Sequence, residues 1–415
     1  MPSVDVLVVG AGPAGSTIAR LLAAGGQHVL LIEEHARIGL PVQCAGLVSK
    51  RVLDLAGTGS YLRQPVRGAN IFGPSLKQFS FRADEPRAFV IDRAGLDVHL
   101  GDRAAAAGAE VRTSTRFDGV VRNDPDGVTV RLTEDGGSST DLAARLVVGA
   151  DGVTSSVARA FRLRRPVEIL PAFEAEFPRC PGDVDLVEVY LGRSFAPGLF
   201  GWWIPDGRGG ARVGIACDAD GTSARRYFER LLEHLAQRFG TPFTSPTGYL
   251  VSGIPIGIVP AISGERVLLV GDAAAQVKPL SGGGIFTGIR AAEIAARVAG
   301  EALRAGDLSA SRLARYDAAW KSEFSEEFRK ALYLRRLFAR LTDRELDAVV
   351  EALGHGSLAG TVVAFGDIDF PTSAARELLR ESPGLMRLLP KALGAWLSTA
   401  GAYPAPDLEV GPRLE

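Results

Sequence analysis

The stretch VDVLVVGAGPAG, residues 4–15, decides the fold of this 415-residue chain. Its apolar run, residues 4–9, predicts a buried parallel strand that leads into a glycine-rich turn. Gly10 permits the tight turn, Gly12 lets a pyrophosphate approach the backbone, and Gly15 lets the next helix pack closely on the strand. Pro13 and Ala14 complete the turn. We expect residues 16–24 to be helical, with the free N–H groups of the helix N-terminus facing phosphate.

A second apolar run, residues 28–32, predicts the next strand and ends at Glu33. An acid at this place accepts hydrogen bonds from a ribose diol and disfavours a 2′-phosphate. Glu34 is the alternative for that contact. Because strand, glycine turn, helix, second strand and acid occur in the required order, the sequence predicts dinucleotide binding over a simple glycine-rich turn.

Two later strands also end in a glycine and an acid. Residues 146–150 precede Asp151, and residues 267–270 precede Gly271 and Asp272. Each carboxylate is placed to bind a ribose or ribityl hydroxyl, although either Asp could instead cap a helix. Together with the N-terminal turn, the two signals favour FAD. The chain shows no second GxGxxG for NADPH, so the electron donor (NADPH, ferredoxin or another) is not identified.

Three further stretches carry a family resemblance: RIGLPVQCAGLVSK at 37–50, GANIFGP at 68–74, and GDAA at 271–274 followed by PLSGGGI at 279–285. With these segments the chain resembles the aromatic-hydroxylase-like flavoproteins. Within that superfamily it is similar to the geranylgeranyl reductases, in particular those acting on archaeal digeranylgeranylglycerophospholipids. The resemblance runs from residue 3 to about residue 330.

The resemblance implies where FAD is bound. Arg93 should contact the phosphates, Asp272 the ribityl–pyrophosphate side, and the peptide at Cys44 and Ala45 should lie over the isoalloxazine. A helix expected at residues 287–299 would place its N-terminus at the flavin N1/C2=O edge, where negative charge collects on reduction. Lys278 is expected to face solvent rather than the flavin. The remaining positions carried over from the third stretch are Gly271, Pro279, Gly282, Gly283, Gly284 and Ile285.

The nonamer PGLFGWWIP, residues 197–205, is the candidate substrate wall. Flanking strands are expected at 187–191 and 211–217. The reductases carry the similar pattern Pro-x-x-Tyr-x-Trp-x-Phe-Pro, in which Phe200 here replaces Tyr and Ile204 replaces Phe. An ordinary buried aromatic strand, or the Trp-x-Trp-x-Ile-Pro segment of flavin-dependent halogenases, is the alternative. The residues expected to line the substrate cavity are Pro197, Phe200, Trp202, Trp203 and Pro205.

Composition excludes several classes of protein. Hydrophobic residues make up 46% and charged residues 23%, which is typical of a globular protein. The net charge of −1 gives no electrostatic support for a nucleic-acid partner. Three cysteines are too few for a disulfide framework, and no metal-ligand spacing is present. Without a signal peptide or a long apolar stretch at the N-terminus, we expect a cytoplasmic location.

The predicted fold class is α/β (α+β), with three units. A Rossmann-like FAD-binding domain is expected at 1–60, 90–165 and 255–310, and an antiparallel-sheet substrate domain at 61–89 and 166–254. Residues 311–415 should form a helical region with a poorly ordered tail from 403. Residues 329–341 and 378–396 combine leucines with Arg or Lys at helical spacing. They either pack on the core or make peripheral contact with lipid headgroups at the inner membrane face.

The predicted function is FAD-dependent reduction of isolated C=C bonds in polyprenyl chains, of a lipid, a diphosphate or a quinone. Such a reaction needs a hydride, a proton and a dry apolar tunnel. Cys44 is the one titratable side chain in residues 40–48, so it is the candidate catalytic acid; otherwise the proton comes from water or from a side chain outside this segment. The alternatives are a flavin monooxygenase or halogenase acting on an aromatic substrate, and a flavoprotein that only transfers electrons.

Overall fold

A computed structural model describes residues 2–373 except 165, 167, 180 and 355–357. The strands are β1 (Ser3–Val9), β2 (Val29–Ile32), β3 (Leu47–Val48), β4 (Leu62–Val66), β5 (Gly68–Phe72), β6 (Gln78–Arg82), β7 (Ala88–Ile91), β8 (Glu110–Arg112), β9 (Thr115–Asp124), β10 (Gly127–Glu134), β11 (Ser139–Gly149), β12 (Glu168–Phe177), β13 (Leu186–Tyr190), β14 (Phe200–Pro205), β15 (Ala211–Ala216), β16 (Gly248–Ile256), β17 (Ser263–Gly264) and β18 (Val267–Leu269). The α-helices are α1 (Pro13–Ala24), α2 (Lys50–Ala56), α3 (Arg93–Ala106), α4 (Ser156–Ala160), α5 (Ala224–Phe239), α6 (Ile285–Ala305), α7 (Ala310–Ala339), α8 (Asp343–Leu353) and α9 (Leu358–Phe365).

The predicted nucleotide-binding sheet is present and has eight strands. Its path runs β17-β18-β11-β1-β2-β8, and β9 and β10 extend it as an antiparallel ribbon beside β11. β1 pairs in parallel with β2 on one side and with β11 on the other. The core positions of β1 and β2 are almost fully buried, as expected for strands covered on both faces. Helices α1 and α6 pack against each other.

The turn between β1 and α1 accepts only glycine at two positions. Gly10 has φ +100°, and a Cβ there would lie 2.4 Å from the carbonyl oxygen of Ala150. A Cβ on Gly15 would lie 1.9 Å from the carbonyl oxygen of Gly10. Neither approach is sterically allowed, so the two glycines bring α1 directly over the ends of β1 and β11.

The second sheet has seven strands in the order β16-β12-β15-β14-β13-β5-β6. It is antiparallel except for the pair β13 and β5. The strands predicted at 187–191 and 211–217 are confirmed as β13 and β15. Segment 61–89 divides between two sheets, because β5 and β6 join the large sheet whereas β4 and β7 pair with β3. β3 follows directly after residues 40–46, which we call the Cys44 segment. The pairing of β3 with β7 therefore anchors that segment.

The helix predicted at 329–341 is the C-terminal part of α7. Its apolar side packs inside the molecule, where Phe328, Ala331 and Leu332 are buried, while Leu337 and Phe338 pack on β6 and α8 residues. The interpretation that this helix packs on the core is therefore the observed one. Residues 378–396 and the tail from 403 lie outside the described residues. No helix in the described part of the chain is both long and apolar enough to cross a membrane. The three-unit division stays a prediction.

Candidate functional site

A cavity of about 660 Å³ opens at the carboxyl ends of the parallel strands, between the eight-stranded sheet and β16. This is the usual position for a ligand in an open α/β sheet. Its size is within the range of cofactor sites. The predicted cofactor residues that line it are Gly10, Gly12, Pro13, Ala14, Glu33, Cys44, Arg93, Asp151, Gly271, Asp272, Gly282, Gly284 and Ile285. Gly15, Ala45, Pro279 and Gly283 do not line it.

Two helix N-termini point into the cavity without a side-chain cap. α1 begins after Gly12 and α6 after Gly284, and neither glycine can bond the free N–H groups. By contrast, α2, α3, α4, α5, α7 and α8 each begin with a Ser, Thr or Asp side chain that accepts such a bond. Unsatisfied N–H groups at a helix N-terminus attract anionic ligands. The two uncapped helices therefore suit the phosphates and the reduced ring of a flavin dinucleotide.

Gly12 shows how the cavity fits such a ligand. A Cβ at this position would have no described protein atom within 4 Å, unlike the Cβ positions at Gly10 and Gly15. The space beside Gly12 thus belongs to the cavity and not to the packing of the protein. It is the space that we expect the pyrophosphate to occupy at the N-terminus of α1.

Glu33 lies at the end of β2, as predicted, and its carboxylate is held in place. One oxygen accepts a 3.0 Å hydrogen bond from the Ala11 amide, and the other contacts the ring of His35 at 2.6 Å. Glu34, the alternative, is largely exposed. The acid therefore lines the cavity beside the glycine turn, where we expect the ribose.

Asp151 binds the N-terminus of α4, which is the helix-capping alternative that the sequence left open for this residue. It accepts hydrogen bonds from the hydroxyls of Ser155 and Ser156 and from the amide of Val157. All of these partners belong to α4 or its N-cap. The residue lines the cavity, but its carboxylate is committed to α4, so its prediction as a cofactor ligand has weaker geometric support than that of Asp272.

Charge in the cavity centres on Arg93. Its guanidinium is paired with Asp97, a cavity residue that the sequence analysis missed although it lies one helical turn further along α3. Burial opposes the charge on Arg93, but Asp97, Cys44 and Asp272 raise its pKa. Burial raises the pKa of Asp272 to about 6, with Arg93 opposing. The Nε of Arg93 has no hydrogen-bond partner in the described structure, so a buried donor is free for a phosphate.

The Cys44 segment forms the wall between the cavity and the seven-stranded sheet. Cys44 lines the cavity, and its Sγ accepts a 3.4 Å contact from the Gly46 amide. Arg212 of β15 donates hydrogen bonds to the carbonyl oxygens of Ala45 and Ile91. One arginine of the second sheet therefore fixes the backbone that carries Cys44.

The aromatic strand β14 places its two tryptophans on opposite faces, because successive residues of a strand alternate. Trp202 lies on the face toward Ala45 and Leu47, with Phe200 beside it. Trp203 is fully buried on the other face, against Phe239 and Phe243. The prediction that Trp203 lines the substrate cavity is therefore wrong.

Pro205 follows the same alternation. It shares the face of Trp203 and pairs with Ala211, which lies in the core under α5. It is thus also wrongly assigned to the cavity. Pro197 precedes the strand, and its carbonyl accepts a hydrogen bond from the Asp218 amide. It therefore fixes the entry to β14. Of the predicted wall, Phe200 and Trp202 lie on the opposite face, in the cluster that contains the cavity-lining Ile254.

Lys278 is buried, contrary to the expectation that it faces solvent. Its ammonium donates to the carbonyl of Ile368 and to Asp369, which is itself 2% exposed. Residues 366–373, which we call the strap, thus bind the loop before α6. Ile368 of the strap also packs near Trp202. The strap could not be found from sequence because its partners are about 90 residues away.

Fold and cavity together define an FAD-binding flavoprotein. A family model described as FAD binding domain matches residues 3–322. Digeranylgeranylglycerophospholipid reductase 2 of Methanopyrus kandleri is 33% identical over 394 residues, covering 92% of this chain and 98% of that protein. The digeranylgeranylglycerophospholipid reductase of Methanocaldococcus jannaschii is 34% identical, covering 84% and 90%. The chain belongs to this family of FAD-dependent oxidoreductases, and FAD is its cofactor.

Solved structures agree with this assignment. A geranylgeranyl bacteriochlorophyll reductase-like protein of Thermoplasma acidophilum superimposes with a TM-score of 0.82 at 28% identity, covering 94% of this chain and all of that one. A flavin-dependent halogenase superimposes with a TM-score of 0.68 at 20% identity, covering 97% and 78%. The second likeness reflects the shared fold alone.

Proposed function

We propose that this protein reduces isolated double bonds in the geranylgeranyl chains of a membrane lipid. One observation carries the proposal: the FAD cavity adjoins an apolar layer on the seven-stranded sheet. Ile254 lines the cavity and packs in the same cluster as Phe200 and Trp202. A prenyl chain lying along this layer would bring a double bond to the cavity. The names of the relatives support a geranylgeranyl lipid as the substrate.

The apolar layer supplies the energy that positions the chain. Each buried CH₂ contributes about 0.8 kcal/mol, so a twenty-carbon chain gains on the order of 10 kcal/mol. When bound and reduced, FAD supplies the hydride. The residues of the protein exclude water and hold the double bond. Among the residues that line the cavity, Cys44 is the one whose side chain we place against the reacting carbons. No carbonyl activates such an alkene, so the site must also deliver a proton.

A lipid substrate implies contact with a membrane surface, and we propose a peripheral contact on the cytoplasmic side. Co-sedimentation with vesicles of an anionic digeranylgeranyl lipid should exceed that with vesicles of a saturated analogue. Equal and negligible sedimentation with both vesicles would reject this contact. The electron donor can be assigned by comparing NADPH and reduced ferredoxin as reductants of the bound flavin.

Anaerobic reoxidation of the flavin tests the function. The holoprotein is photoreduced without oxygen and mixed with a digeranylgeranylglycerophospholipid in detergent micelles. We expect the oxidised flavin absorbance to return with lipid but not with its fully saturated analogue. If the lipid has no effect but oxygen with an aromatic substrate gives a hydroxylated or halogenated product, the monooxygenase or halogenase class is correct. Reaction with neither indicates a flavoprotein that only transfers electrons.

A further inference from the structure

A carboxyl group is buried in the apolar face of the seven-stranded sheet. Glu174 of β12 is 2% exposed, and its Oε2 accepts a 2.7 Å hydrogen bond from the indole Nε1 of Trp202 in β14. Gly214 of β15 lies between them, in register with both residues. A Cβ on Gly214 would approach the indole to 2.5 Å. The indole therefore crosses the middle strand and reaches Glu174 only because residue 214 has no side chain.

Glu174 lies on the face of the sheet that carries the apolar layer, two residues from the position on β12 that borders the cavity lining. Ala172, one step along the same face of β12, pairs with Ser252 of β16, and Ser252 lines the FAD cavity. On the other side, Trp202 contacts the cluster that contains Leu47 and Ile368. The carboxyl thus lies within the layer proposed for the prenyl chain, on the strand that pairs with the cavity-lining strand β16.

The other charged groups around this position have different tasks. On the same face of the sheet, Glu168 pairs with Arg335 of α7, and Glu176 is half exposed. Arg212 binds the backbone of the Cys44 segment. The titratable and charged side chains that the described residues present on this face and on the elements packed against it include Glu168, Glu176, Arg212, Asp218, Cys44, Arg51, Lys278, Arg335 and Asp369.

The environment of Glu174 brings the pKa of its carboxyl group close to neutral pH. Burial raises its pKa to about 7, Glu176 adds to the rise, and the Trp202 hydrogen bond and Arg212 oppose it. A general acid works best when its pKa lies near the operating pH. The Cys44 thiol makes one weak contact with a backbone amide and lies near the guanidinium of Arg93.

We propose that Glu174 donates the proton that completes reduction of the prenyl double bond, with Trp202 orienting its carboxyl group. The proposal rests on the proposed function. The alkene π bond is lost as one carbon receives a hydride from reduced FAD and the other receives the proton. The Glu174 O–H bond breaks, the flavin becomes oxidised, and the resulting carboxylate regains a proton from water before the next turnover.

Single-turnover kinetics of Glu174→Gln test the proposal. Reduced holoprotein is mixed anaerobically with the digeranylgeranyl lipid in micelles, and flavin reoxidation is followed. We expect the variant to bind FAD normally and to react at least about 100-fold more slowly, the usual contribution of a general acid. Glu176→Gln, two residues away on the same face, is the matched control and should keep the wild-type rate at acidic pH. A loss below about fivefold in Glu174→Gln would overturn the proposal.

The pH profile gives a sharper result. Since the protonated acid is the active form, the wild-type rate should be constant below neutrality and fall as the pH rises through about 7. Glu174→Gln should lose this dependence. Trp202→Phe removes a hydrogen bond that lowers the pKa, so its decline should move to higher pH; this variant also serves if Glu174→Gln does not fold. An unshifted profile would contradict the assignment.

A readout without substrate separates this proposal from the proposed function. Ionisation of Glu174 changes the charge beside the Trp202 indole, so tryptophan emission of the holoprotein should show a transition near pH 7. Both Glu174→Gln and Trp202→Phe should abolish it, whereas Glu176→Gln should retain it. Failure of the wild type to reduce any prenyl lipid rejects the function, whereas a missing transition rejects the role of Glu174.

Discussion

At the turn between β1 and α1, each glycine leaves room for a different neighbour. Gly10 and Gly15 avoid backbone and side-chain atoms of the protein itself, whereas the space beside Gly12 is open to the cavity. A substitution at Gly12 therefore affects the ligand, and a substitution at Gly15 affects the fold. This distinction makes the cofactor site testable one residue at a time.

Gly12→Val should abolish FAD binding and leave the protein folded. The added side chain meets no protein atom within 4 Å of its Cβ, but it occupies the space of the pyrophosphate. We expect a loss of affinity of at least about 100-fold, or ~2.7 kcal/mol, in a flavin-binding titration. The unfolding temperature of the FAD-free protein should match that of FAD-free wild type. A variant that retains full flavin would show that the pyrophosphate lies elsewhere.

Cys44→Ser should keep FAD but slow alkene reduction or change which double bonds become saturated. The thiol lines the cavity beside the layer of Trp202, so we expect it to contact the reacting carbons. Initial rates and the mass distribution of partly reduced lipids are the measurements. A loss below about fivefold, ~1 kcal/mol, with an unchanged product distribution would give Cys44 a packing role only.

Strand β14 contributes side chains to two separate apolar clusters, one on each face of the seven-stranded sheet. Phe200 and Trp202 pack in the cluster that contains Ile254, while Trp203 packs with Phe239 and Phe243 under α5. The strand therefore joins the substrate layer to an independent core. Its neighbouring tryptophans form a natural pair for comparison, since they differ in the face they occupy and not in residue type.

Trp202→Ala should impair the use of long prenyl chains far more than FAD binding, because it removes part of the substrate layer. Trp203→Ala should mainly destabilise the fold, by about 3–5 kcal/mol as for other buried aromatics. KM and kcat for long and short prenyl substrates, together with urea unfolding, separate the two effects. If Trp202→Ala and wild type process long and short chains in equal ratio, Trp202 only packs the sheet.

The strap holds the C-terminal part of the described chain on the loop before α6 through a buried ion pair. Removing Asp369 leaves the ammonium of Lys278, which is 6% exposed, without its charged partner. Asp369→Ala should therefore lower the free energy of unfolding by about 3–5 kcal/mol. The exposed pair Lys50–Asp54 is the matched control, and Asp54→Ala should cost at most about 1 kcal/mol. Equal effects in urea unfolding of the two holoprotein variants would show that the strap is not closed by this pair.

On the scale of the molecule, the function depends on the meeting of two sheets. The eight-stranded sheet and the N-termini of α1 and α6 form the FAD cavity, and β16 and the Cys44 segment form its far side. The face of the seven-stranded sheet with Trp202 continues from there as an apolar layer. We expect this arrangement to place the cofactor and an apolar prenyl chain side by side.

How far the sequence predicts this arrangement depends on whether the signal is local. The glycine turn at Gly10 and the acid at Glu33 were predictable because the elements that position them, β1, α1 and β2, are consecutive in the sequence. The sequence pattern groups Trp203 with Trp202, whereas the alternation of side chains along β14 places the two tryptophans on opposite faces of the sheet. Glu174 was not predicted, because a single Glu within an apolar strand is a weak signal. Its importance depends on the strand register, which places Glu174 and Trp202 on either side of Gly214.

The most direct test of the account is the mass of the lipid product. Reduced holoprotein is incubated without oxygen with a digeranylgeranylglycerophospholipid. The molecular mass of the extracted lipid is measured by mass spectrometry and compared with that of lipid incubated with the Gly12→Val protein. We predict that each reduced double bond adds two hydrogens to the lipid, whereas the lipid incubated with the Gly12→Val protein keeps its mass. Unchanged lipid mass, with flavin that stays reduced until oxygen is admitted, would contradict the account.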